Sequence, residues 1–136
     1  MSTYQNLYNE DLQGNLVLRL LYNGEHSLEQ KGEIILKNTE SAKFVFNDKG
    51  NMLAIFRPAN DSKGVRRHFI DVYQCDSEDP YDILKVIEAQ KCKCSYQEND
   101  KNKQDISFVK DLIFDDDDSK VIAFGDKDFF VLNIES

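Results

Sequence analysis

The sequence has no long apolar run. Its longest, Leu16 to Tyr22, carries Arg19 inside it and falls well short of the roughly 20 residues that a membrane-spanning helix needs. Positive charge is also scarce: 17 lysines and arginines stand against 25 acids, for a net charge of -8. Such a balance repels a phosphate backbone and an anionic membrane surface alike. The densest cationic cluster is only Arg66-Arg67-His68, so neither nucleic acid nor membrane is an expected partner. Met1 to Asn6 lacks the positive charge and apolar stretch of an export signal, which sets the expectation of a cytoplasmic or nuclear protein.

Cysteine is sparse and odd in number, with Cys75, Cys92 and Cys94 alone. In a chain with no export signal these are expected to be free thiols rather than a disulfide framework. Cys92-Lys93-Cys94, even with Cys75 and His68, does not match the pairs two to four residues apart that zinc sites use. Only two histidines exist, His26 beside Asn23-Gly24 and His68 among arginines. Neither lies in a catalytic motif, and no glycine-rich phosphate loop, HExxH pair or nucleophile elbow is present. The acidic run Asp115 to Asp118 lacks the alternating spacing, central glycine and distal glutamate of a calcium loop and reads as a solvated turn. No metal, cofactor or enzymatic activity is expected.

What remains is a chain of 136 residues, 40% apolar, the size of one domain with one core. Its main signal is short β-branched and aromatic runs broken by polar turns, the pattern of antiparallel strands. The runs are Leu16 to Tyr22, Glu33 to Lys37, Lys43 to Phe46, Met52 to Phe56, His68 to Gln74, Ile106 to Phe114, Val121 to Phe124 and Phe129 to Ile134. Residues 1–14 form a lead-in in which Tyr4, Leu7, Tyr8 and Leu12 fall at helical spacing. Asp79 to Glu88 begins with an aspartate and a proline that suit a helix start, while Ile83, Val86 and Ile87 favour a strand; the strand is preferred. Residues 90–105 are polar and read as an exposed loop.

Two stretches repeat one another. Phe44-Val45-Phe46, a turn, then Met52-Leu53-Ala54-Ile55-Phe56 matches Leu112-Ile113-Phe114, a turn, then Val121-Ile122-Ala123-Phe124. Each is followed by an apolar run with a polar residue inside it, Phe69-Ile70-Asp71-Val72-Tyr73 and Phe130-Val131-Leu132-Asn133-Ile134. This unit resembles a degenerate WD40-type β-propeller blade. The resemblance is carried by Phe46-Asn47-Asp48-Lys49-Gly50-Asn51-Met52-Leu53-Ala54 and covers approximately residues 43–135. The family's tryptophan-aspartate pair is missing, since the chain has no tryptophan and Tyr73-Gln74 stands in that place. The second copy also lacks the turn glycine.

The resemblance implies a mainly β fold of antiparallel meanders, two to three blades that are incomplete as a closed propeller. Within one domain spanning 1–136, a partial blade is expected at 15–40, a blade-like unit at 41–89 and an incomplete unit at 106–136. The last unit is expected to lack its fourth strand and so to offer an open edge for a partner. The family's usual role implies a non-catalytic protein–protein interaction or scaffold module of a multiprotein assembly. The alternative is a small autonomous β domain that binds a small ligand or acts through its carboxylates. The loop expected from Arg57 to Arg67 gathers three of the four arginines. Because the planar guanidinium recognises carboxylates on a partner, Arg57, Arg66 and Arg67 are the expected partner-binding residues.

Overall fold

Asn47 and Gly50 shape the hairpin between Phe46 and Met52. The Gly50 amide donates to the Asn47 carbonyl, the Asn47 side-chain oxygen accepts the Met52 amide at 3.0 Å, and Gly50 takes φ +74°, which glycine adopts without cost. The computed structural model describes residues 16–39, 42–60, 63–76, 86–96 and 109–135. Among them the chain forms only strands and turns. The strands are β1 (Leu16–Leu20), β2 (His26–Gln30), β3 (Glu33–Lys37), β4 (Lys43–Phe46), β5 (Met52–Asn60), β6 (Arg66–Cys75), β7 (Val86–Lys91), β8 (Lys93–Tyr96), β9 (Asp111–Phe114), β10 (Lys120–Phe124) and β11 (Phe129–Glu135). Every pairing among them is antiparallel.

A seven-stranded sheet runs in the order β3-β2-β1-β7-β6-β5-β4, and a four-stranded sheet in the order β8-β11-β10-β9. The large sheet curls around a core of its own. Leu16, Leu18, Leu28, Leu53, Ile55, Tyr73, Cys75, Ile87 and Ala89 form one buried cluster, with Ile35 and Leu36 of β3 and Phe44 and Phe46 of β4 packed against it. All seven strands therefore contribute to a single concave face, a nearly closed barrel. Its edge strands are β3 and β4, and His26 of β2, the neighbour of β3, meets Phe46 of β4 with ring centroids 4.9 Å apart.

Strand β5 is buried on both sides because successive side chains point to opposite faces. Leu53 and Ile55 enter the barrel core. Met52, Ala54 and Phe56 point the other way and, with Val72 of β6, meet Leu112, Val121, Ala123, Phe130 and Leu132 from the small sheet and Val109 just before β9. The small sheet thus stacks on the convex side of β5 and β6. Burying so many aliphatic and aromatic side chains, at about 1.5–3 kcal/mol each, is the main force holding the layers together.

Three expectations need correction. The polar residues after Gln90 are not all loop: Gln90 and Lys91 finish β7, and Lys93 to Tyr96 form β8. Half-buried Cys92 and Cys94 alternate with exposed Lys93 and Ser95, a strand pattern hidden by its weak hydrophobicity. As a result the small sheet does not lack a fourth strand, because β8 pairs with β11 from Leu132↔Tyr96 to Glu135↔Lys93. One stretch of chain serves both sheets, with Cys92 as the joint; its amide donates to the Val72 carbonyl at 2.7 Å. Finally, the segment from Arg57 to Arg67 is mostly strand, since β5 and β6 stay paired as far as Asn60↔Arg66. Pro58 is tolerated there because β4 has ended, leaving β5 an edge on that side. Strand β2 was not expected at all, since Leu28 is its only strongly apolar residue. The lead-in at 1–14, most of 79–88 and residues 97–108 lie outside the described residues, although Val86 to Glu88 are strand.

Candidate interaction surface

The three arginines do not form one surface. Arg57 is 1% exposed: it lies on the barrel side of β5, two residues beyond Ile55, and its Nε donates to Asp71 Oδ2 at 3.0 Å. Its guanidinium carbon also lies 5.8 Å from the Phe69 ring centroid, a cation–π distance. Lys91 Nζ reaches the other oxygen of Asp71 at 3.2 Å. The expectation that Arg57 faces solvent is therefore wrong, because strand alternation turns it inward to an acid of the same face. Arg66 is exposed at the start of β6, and Arg67 follows it in that strand, its side chain outside the described set.

Close to this charged cluster is a buried phenol. Tyr73 is fully buried, and its hydroxyl has no hydrogen-bond partner among the described residues. Burial, then the nearby Asp71 carboxylate, drives its pKa upward against the opposing pull of Arg57, so the group stays a neutral phenol. Elsewhere, His68 joins the layers: its Nδ1 accepts the Val109 amide at 2.8 Å, and its ring lies 5.6 Å from Phe56. Burial and then the Arg66 charge hold its pKa below the ordinary value. The thiols are poor nucleophiles. Burial raises all three, Cys75 to about 12 and Cys94 to about 11. Cys92 and Cys94 pack against the same interlayer cluster, as residues two apart in extended chain do. Among the described residues no group of three acidic, histidine or cysteine side chains could hold a metal ion.

The feature that sequence reading missed is the outer face of the small sheet. Its inner face consists of Leu112, Val121, Ala123, Phe130 and Leu132, so the intervening residues point away from the barrel. At one end they are largely apolar: Ile113 is 43% exposed, Phe124 37% and Phe129 60%. Ladder pairing sets Ile113, Ile122 and Val131 in one row, and the Phe124 and Phe129 rings lie 6.4 Å apart beside it. The far end is polar, with Lys120 paired to Asn133 and Glu135 to Lys93. A signal was present. Leu112-Ile113-Phe114, Val121-Ile122-Ala123-Phe124 and Phe129-Phe130-Val131-Leu132 are unbroken apolar runs, which mark strands covered on both faces rather than on one.

Compared with known proteins, the chain matches no family model, no curated protein and no solved structure.

Proposed function

We propose that the chain is a non-catalytic protein-interaction module whose docking surface is the outer face of the small sheet. The observation that carries this reading is the contiguous exposure of Ile113, Phe124 and Phe129 on strands written as though both sides were covered. Contiguous apolar patches of this kind mark sites of association. The stacking of one antiparallel sheet on another through aliphatic faces accords with the blade-like resemblance, in which each sheet is a platform for the next. The assembly role comes with that resemblance, as do other proteins as partners. Among the described residues no helix is long and apolar enough to cross a membrane.

The test is purification of the tagged chain from its native cell beside an Ile122→Lys variant, with co-eluting proteins identified and their stoichiometry measured. A stoichiometric partner that the substitution removes supports the reading. An unchanged partner set, or none with either protein, overturns it. The unpartnered Tyr73 hydroxyl in the barrel favours a second reading, a small polar ligand held beside Arg57 and Asp71. Ligand screening by thermal shift, repeated on Tyr73→Phe, tests that alternative.

A further inference from the structure

The outer face has opposite charges at its two ends, and their arrangement selects an occupant. Running along the strands, the first row holds Lys93 and Glu135, the second Ser95, Asn133 and Lys120, the third Val131, Ile122 and Ile113, and the fourth Phe129, Phe124 and Asp111. Beyond the fourth row lies the β10–β11 turn with Asp126, Lys127 and Asp128, all exposed, where Asp126 pairs with Lys110. A two-fold axis lying in the face and crossing the strands along the third row leaves that row on itself and exchanges the second row with the fourth. Lys120 of one copy then lies over Phe124 of the other, one strand away from its Asp111. Glu135 is brought over Lys127. Each contact occurs twice, as an isologous pairing requires, and these two join a cation to a carboxylate or to a ring face; Asp118 comes over Asp126, whose charge Lys110 already pairs. An axis along the strands is worse, because it turns Glu135 toward Asp118 and leaves Lys120 over Asn133.

We propose that a second copy of this chain docks on this face, about the two-fold axis that crosses the strands at Ile122. The inference rests on the interaction-surface reading above and names its partner. Strands related in this way stay roughly aligned, the arrangement that stacked sheets adopt about 10 Å apart. The extent of the face sets the strength. Two partly exposed phenylalanines and three aliphatic side chains offer on the order of 300 Å² per copy, against roughly 800 Å² per partner in a standard stable interface. The pairing is therefore weak and reversible, with a dissociation constant on the order of 100 µM or higher.

The experiment is sedimentation equilibrium on the full chain from micromolar to millimolar concentration, with amide chemical shifts followed over the same dilution series. The expected result is concentration-dependent dimerisation, with shifts confined to β9, β10 and β11. Lys120→Asp sets acid against acid and is expected to weaken the dimer about tenfold, from two lost pairs and the repulsion that replaces them. Adding Asp111→Lys to that variant reverses both charges and is expected to restore most of the affinity. Ile122→Lys is expected to abolish association; Phe129→Ser, at a more exposed position, serves if the first variant does not fold. A chain that stays monomeric at millimolar concentration overturns the proposal, as does a double variant as weak as the single one. Failure here is separable from failure of the broader reading: if the chain is monomeric and Ile122→Lys still removes a native partner, only the second copy is excluded. If neither measurement responds, both fall.

Discussion

Asn47 and Asp115 do the same work in two turns far apart in the chain. Each accepts the main-chain amide five residues on with one side-chain oxygen, Asn47 from Met52 and Asp115 from Lys120, both at 3.0 Å. In each turn the amide three residues on returns to the carbonyl of the first residue, from Gly50 and from Asp118. The fourth residue is left-handed both times, at φ +74° for Gly50 and +56° for Asp118. The internal repeat thus extends to the hydrogen bonds of its turns, with aspartate enduring in the second copy what glycine relieves in the first.

Asp118→Gly should therefore stabilise the protein, by about 0.5–1 kcal/mol once the extra freedom of the unfolded glycine is subtracted from the relief of a left-handed side chain. Gly50→Ala should do the opposite. Chemical denaturation of both variants measures the pair. Asp115 adds a pH signature. Burial is the largest single influence and opposes its ionised form, but the hydrogen bonds from Lys120 and Ser119 together, with the Lys120 charge, prevail and hold its pKa below the ordinary value. Its stabilising contribution is present above the unfolded carboxyl pKa and is lost as pH falls through the folded one. Asp115→Asn should flatten that acid-side decline.

Removing Asp71 should cost more than removing Arg57. Asp71→Asn leaves Arg57 and Lys91 beside a neutral amide on a buried face, whereas Arg57→Met leaves Asp71 with Lys91 still 3.2 Å away. Breaking a buried pair costs about 3–5 kcal/mol. Asp71→Asn should fall in that range and Arg57→Met below it, as read from urea midpoints at unchanged slope. Equal losses would mean that Lys91 contributes nothing.

Tyr73→Phe should leave stability unchanged or raise it, because the variant loses a buried hydroxyl with no partner among the described residues and keeps the ring. A loss of more than about 1 kcal/mol would show that the hydroxyl is hydrogen-bonded in solution, to water or to a ligand.

Stability should fall on acidification from about pH 6.5, the ordinary histidine value, through the lower pKa of folded His68. Only the neutral ring can accept the Val109 amide, so the folded state resists protonation that the unfolded chain accepts. The contribution is complete above the unfolded pKa and disappears once pH has dropped below the folded one. His68→Asn, which offers an acceptor that does not titrate, should remove this part of the profile. Thermal melts from pH 7.5 to pH 5 decide the matter.

The legible parts of this fold were those with strong side-chain patterns. Glu33 to Lys37 and Lys43 to Phe46 have the strand limits that composition alone assigns. The turn beginning at Asn47 could be read because asparagine and glycine have distinct backbone chemistry. Strands β2 and β8 could not, since His26 to Gln30 and Lys93 to Tyr96 carry few apolar side chains and owe their conformation to the neighbours they pair with, β1 and β11. Arg57 was misplaced for a related reason: an arginine after an apolar run looks like the start of a loop, and only the pairing with β6 reveals the acid that awaits it. The outer face was legible in the unbroken apolar runs, but its meaning required knowing which of its sides the barrel already covered.

Strand β5 is a wall shared by two cores, and this governs how the protein comes apart. Leu53 and Ile55 belong to one core, while Met52, Ala54 and Phe56 belong to the other. Neither sheet can open fully without exposing apolar surface that β5 holds for its neighbour. Thermal or chemical unfolding should accordingly be one cooperative transition rather than two. The amides of Leu53 to Phe56 exchange with solvent only through that global event, which makes them the slowest reporters in the chain.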